Sequence, residues 1–215
     1  MHSIPAVLTA LILLTGLWML ISRRIGSALI GYATQSCLLG AVALYMFTQV
    51  GGLHLLALGV ITIAIKGLGI PLVLRRQIRS TVYERRETQY YVGFPTALLI
   101  GAGLSVLGFV AAARIPVRLQ LLPASSLGLG IAVVLLGLFM ATARRDAVMQ
   151  LAGLLIAENG LLLVGLVVAP GLALMVEFAL FMDVVMGVFV MGFLIARMHE
   201  TVASTDTAEL TRLRG

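Results

Sequence analysis

The stretch AVMQLAGLLIAENGLLLVGLVVAPGLALMVEFALFMDVVMGVFVMGFLIA, residues 147–196, decides the fold. It holds three charged residues, Glu158, Glu177 and Asp183, and one turn signal near its middle, Ala169-Pro170-Gly171. About 20 apolar residues in a helix cross the hydrocarbon of a bilayer, and the chain on either side of that turn is long enough. The stretch therefore reads as two membrane-spanning helices, and so short a turn makes them antiparallel neighbours. Its hydrophobicity is continuous rather than alternating, which excludes the strands of a membrane β-barrel.

The rest of the chain has the same character. Of 215 residues, 60% are hydrophobic and 11% charged, and the mean hydropathy is +1.09. A soluble domain is about a quarter charged, and a soluble core of this size has no room for so much apolar surface. These proportions exclude a disordered chain, a secreted disulfide scaffold and a soluble enzyme. The single Cys37 allows no disulfide framework, zinc cluster or iron–sulfur centre within the chain, so no cofactor is expected here. A net charge of +6 would suggest nucleic acid in a soluble protein. Here the arginines cluster at the ends of apolar runs, where they set membrane topology, and no nucleic-acid partner is expected.

Marking the apolar runs between charges predicts seven spans: 4–22, 26–48, 53–74, 93–113, 123–143, 147–169 and 172–196. With that count twelve arginines fall on one side of the membrane, and only Arg114 and Arg118 on the other. The positive-inside rule then places the N-terminus outside and the C-terminus in the cytoplasm. The reading is an all-α, multi-pass protein with one transmembrane domain, 1–198, and a short polar tail, 199–215. The first span has no basic residues before it and no small-residue cleavage site after it, so it reads as an uncleaved anchor. Residues 77–91, with five charges and three tyrosines, read as a cytoplasmic loop at headgroup level.

Gly16-Leu17-Trp18-Met19 followed by Arg23-Arg24 matches Gly137-Leu138-Phe139-Met140 followed by Arg144-Arg145, 121 residues later. Either spans one to three and five to seven are parallel copies of a three-helix unit, with span four reversing the chain between them, or Gly-rich apolar segments coincide here by chance. A duplicated unit of this kind is a feature of transporter architecture.

An ionised side chain at the bilayer centre costs about 2.5–3.5 kcal/mol on insertion scales, so intramembrane charges carry the functional signal. Lys66 lies midway along span three, Glu158 midway along span six and Asp183 midway along span seven, with Glu177 nearer the outer end of span seven. Counted from the Ala169-Pro170-Gly171 turn, Glu158 and Asp183 both sit about 16–18 Å deep. They can form a relay or both face Lys66. Glu177 and Asp183 are about 240° apart around their helix and do not share a face. Burial and a nearby opposite charge pull on an ionisable group's proton in opposing directions. A Lys–carboxylate set in a bundle can thus hold or release a proton when water reaches it. The bland alternative is a buried ion pair that locks helix register.

Other residues carry weaker signals. Asn159, Gln35 and Thr34 read as interhelical hydrogen-bonding groups, and His54 as an interfacial histidine. Pro71, one turn after Lys66, predicts a kink that opens backbone carbonyls. No His-Glu-x-x-His, Gly-x-Ser-x-Gly or phosphate-cradling loop occurs.

The run Gln150-Leu-Ala-Gly-Leu-Leu-Ile-Ala-Glu-Asn-Gly160 resembles the second helix of the three-helix subunit K of respiratory complex I. Phe181-Met-Asp-Val-Val-Met-Gly-Val188 is similar to that subunit's third helix, and the same module, about residues 124–198 here, occurs in the C subunit of multi-subunit sodium/proton antiporters. A seven-span chain ending in this module resembles the hydrogenase-4 component E family of formate-hydrogenlyase-type and related group 4 hydrogenase complexes. The resemblance implies that Asp183 and Glu158 lie on a proton path. Asp183 takes the third-helix acidic position directly. Aligning Asn159 with the family asparagine puts Leu155 in the place of the second-helix glutamate and Glu158 one turn later, about 4.5 Å along the helix. Lys66 has no counterpart in the small subunit.

The expectation is a membrane-arm subunit of a complex-I-like assembly in a bacterial or archaeal cytoplasmic membrane, carrying part of a proton or sodium path. It would have no redox centre of its own. The resemblance implies partners that include antiporter-like subunits, a hydrophilic redox module with nickel–iron and iron–sulfur centres, and lipids. The rivals are a structural scaffold subunit of the same arm and a secondary transporter. A retinal-binding protein is disfavoured because the only intramembrane lysine is not in the last span.

Overall fold

The computed structural model describes residues 3–79, 93–116, 121–145 and 147–169, together with Met182, Met186 and Gly187. The chain divides into two compact units, Met1–Val176 and Glu177–Gly215, and the helices below all belong to the first. They are α1 (Ser3–Ile21), α2 (Ile25–Val50), α3 (Leu53–Ile61), a π-helical segment (Thr62–Gly69), α4 (Ile70–Arg79), α5 (Phe94–Ala112), α6 (Ser125–Ala143) and α7 (Ala147–Val168). No strand occurs among the described residues. The segment α3–π–α4 supplies one continuous apolar span, Leu53–Arg75, so among the described residues six spans are long and apolar enough to cross a membrane. They coincide with the first six expected from sequence to within two residues at each end. The seventh, 172–196, lies almost wholly outside the described residues, as do Glu177 and Asp183.

Side-chain size explains which helices pack most closely. The most extensive contact is between α6 and α7, where small residues let the backbones approach. A Cβ on Gly153 would lie 2.5 Å from the backbone nitrogen of Ala141, and one on Gly137 would run into that of Ala157. Without a hydrophobic driving force inside lipid, such close van der Waals packing is what holds helices together. At the heart of the bundle α2 touches α1, α3, the π segment, α4 and α7, while α6 bridges α1, α5 and α7. By contrast, α5 is only 17% buried against 61% for α6 and α7, and its outward Leu99, Val106 and Val110 suit lipid or a neighbouring subunit. The α2–α3 turn is made by Gly51 and Gly52 at φ +72° and +94°, a backbone region that residues with a Cβ rarely adopt.

Three local features depart from the sequence expectation. Helix α4 runs on to Arg79, so the first residues of the expected 77–91 loop are helical. Span three is irregular through an eight-residue π segment ending just before Pro71. Proline has no N–H and its ring crowds the carbonyl four residues back, and the widened turns lie on that side of it. Finally, Arg144 is not a headgroup anchor. It is completely buried, and its Nη2 donates to the carbonyl oxygens of Met19 (3.4 Å), Leu20 (3.0 Å) and Ser22. The last carbonyls of a helix have no partner within it, so a guanidinium from the α6–α7 turn closes the end of α1. Gln150 Nε2 in turn donates to Arg144 O at 2.8 Å, which ties the turn to α7.

Candidate functional site: a buried ion pair beside an amide cluster

Apolar helices cannot dissolve a charge, so a lysine in mid-span must be brought to a partner. Lys66 sits on the π segment, with its side chain only 2% exposed, and its Nζ lies 3.2 Å from Glu158 Oε1 on α7. Glu158 is itself 13% exposed. In a π-helix the hydrogen bonds run from i to i+5, so every residue after Thr62 is rotated from its place in an uninterrupted α-helix. Thr62, also buried, precedes Lys66 on the same segment.

Adjacent to this pair lies a second polar group. Asn159 Nδ2 donates to Gln35 Oε1 at 3.1 Å and to Ser36 Oγ at 3.0 Å, both on α2. Gln35 Nε2 in turn donates to Ile12 O on α1 at 3.0 Å. All three side chains are fully buried. The cluster thus links α1, α2 and α7 at the level where Glu158 meets Lys66. The other amide atom, Asn159 Oδ1, is buried with no hydrogen-bond partner among the described residues, a state that native interiors usually relieve with an ordered water. Ser126 Oγ of α6 also donates to Thr9 Oγ1 of α1 at 3.5 Å.

Of the residues singled out from sequence, Lys66, Glu158 and Asn159 come together in one region of the bundle. Pro71 follows the π segment, which ends at Gly69. Asp183 and Glu177 fall outside the described residues. Gln35 does bond between helices, whereas Thr34 is exposed and donates to Ile30 O of its own helix. Sequence reading missed Ser36 and the role of Arg144. A Gln-Ser pair inside an apolar run was the available signal for the first; nothing distinguishes Arg144 from Arg145 before the helices pack.

Comparison with known proteins gives relatives that match over most of their length. Over 187 residues the chain is 30% identical to Rv0085, an uncharacterized protein of Mycobacterium tuberculosis, a match covering 85% of this chain and 83% of the relative. This chain belongs to the Rv0085 family. It is also 26% identical over 209 residues to hydrogenase-4 component E of Escherichia coli strain K12, covering 97% of this chain and 96% of that one. The component E of Shigella flexneri matches to the same extent. No protein-family model matches the chain, and no solved structure does.

Proposed function

We propose that this protein is a membrane subunit of a complex-I-like, hydrogenase-4-type assembly and that the Lys66–Glu158 pair is part of its intramembrane ion path. The observation that carries the reading is an ion pair of 3.2 Å buried midway along two spans, where charge is costly and marks function by default. The full-length similarity to hydrogenase-4 component E supports the assembly. In this reading a proton is handed between Glu158, Lys66 and carboxylates at Asp183 and Glu177, or a sodium ion between the carboxylates alone. Asp183 and Glu177 would lie on a seventh span that puts the N-terminus outside and the C-terminus in the cytoplasm. Electrons would pass through nickel–iron and iron–sulfur centres of partner subunits, with antiporter-like subunits alongside.

The burial of the pair and the amide cluster beside it favour one other reading, a scaffold that locks helix register. Ion translocation by the assembly in inverted native membranes separates the two. Glu158→Gln, Lys66→Met and Asp183→Asn should each abolish acidification of the vesicle lumen while the assembly still copurifies. Undiminished pumping by a Lys66→Met/Glu158→Leu double variant would leave only the scaffold.

A further inference from the structure

A second site lies at the end of the bundle where α2 begins and α4 ends. A groove of about 260 Å³ runs between these elements, with Gly26, Ile30 and Ala33 of α2 on one wall and Gly67, Pro71 and Arg75 on the other. Its lining is apolar except for Arg75, which ends the apolar span Leu53–Arg75. That position puts the guanidinium at the depth of lipid headgroups. Arg24, two residues before Gly26 and exposed, is at the same end of the bundle. A Cβ built on Gly26 meets nothing within 4 Å, so the groove is open where α2 enters the membrane.

We propose that this groove is a binding site for one anionic phospholipid. Its acyl chain lies between α2 and the Gly67–Pro71 stretch, and its phosphate is held by Arg75 with Arg24 alongside. A guanidinium pairs with phosphate oxygens through two parallel N–H···O bonds, and basic pockets between membrane helices select anionic headgroups. The groove's small volume argues for a chain rather than a helix. An α-helix with its side chains is about 10–12 Å across, too wide for a groove of this volume, which suits a segment of one acyl chain. The wall that includes Gly67 is the segment carrying Lys66, so the bound lipid would lie along the outside of the π segment.

The test reconstitutes the full chain into phosphatidylcholine vesicles containing a minority of phosphatidylglycerol, re-extracts it gently and identifies the retained lipid by native mass spectrometry. Phosphatidylglycerol should be retained well above its share of the vesicle. Arg75→Gln should lower that preference about fivefold, the effect of one arginine near an anionic surface. Gly26→Trp, placed in open space, should fill the slot and remove the retained lipid without lowering the melting temperature. Retention in proportion to vesicle composition, or an unchanged preference in Arg75→Gln, would overturn the proposal. So would a photo-crosslinker at Leu72, which lines the groove, that attaches to a neighbouring polypeptide in the native assembly instead of to lipid.

Discussion

Lys66 and Glu158 were legible in the sequence as charges out of place, because a low-dielectric medium makes every ionised group in mid-span conspicuous. That Glu158 pairs with Lys66 was one of the arrangements the sequence left open. The direction in which Lys66 points depends on the π segment, and a run such as Thr62–Gly69 looks like any other apolar helix before it is packed. Breaking a buried pair leaves one charge stranded, while removing both partners does not. Lys66→Met or Glu158→Gln alone should therefore lower the stability of the purified protein by about 3 kcal/mol. The double variant Lys66→Met/Glu158→Leu should recover most of that loss. Thermal unfolding in a fixed detergent measures all three, and equal destabilisation by the single and double variants would show that the two side chains do not interact. The neighbouring cluster obeys the same logic on a smaller scale, since interhelical hydrogen bonds in membranes average only about 0.6 kcal/mol.

Among the elements, the helices were legible wherever length and apolarity alone decide them, and their observed ends fall close to the expected ones. What escaped the one-dimensional reading were contacts that need two elements at once. Arg144 is the clearest example. Arginines after a span ordinarily snorkel to the headgroups, yet this one turns inward to the carbonyls at the end of α1, because α6 and α1 pack side by side. Hydrogen bonds from a charged donor contribute about 1.5–3 kcal/mol. Arg144→Met should destabilise the protein by that amount and expose the α1–α2 turn to proteolysis, whereas Arg145→Met, at an exposed position, should have a much smaller effect. Comparing the melting temperatures and cleavage sites of the two variants checks this, and equal shifts would count against the cap.

At the scale of the molecule, packing divides the described spans into an inner group of α2, α6 and α7, an outer pair, α5 and α3–π–α4, with largely exposed surfaces, and α1 between the two. Those outward faces are where lipid or partner subunits must lie, since apolar surface of this extent has no place in water. Six described spans return the chain to the side on which it began; a seventh makes the termini opposite. The arginine distribution predicts the second arrangement. In intact cells an N-terminal epitope tag should be reachable by a membrane-impermeant antibody or protease, and a C-terminal tag should be protected until the membrane is opened. Protection or exposure of both tags together would rule out the seven-span topology.

Read alone, the amino-acid sequence determined the class, the positions of six spans and the residues whose charge is anomalous. Each of these follows from the transfer of single residues between water and hydrocarbon, which depends on composition along the chain. Tertiary structure decided which charge meets which, that Asn159 is held by Gln35 and Ser36 from another helix, and that Arg144 closes a helix end rather than anchoring one. Those outcomes depend on rotation about helix axes and on approach distances set by glycines such as Gly137 and Gly153, quantities that exist only once two helices have packed.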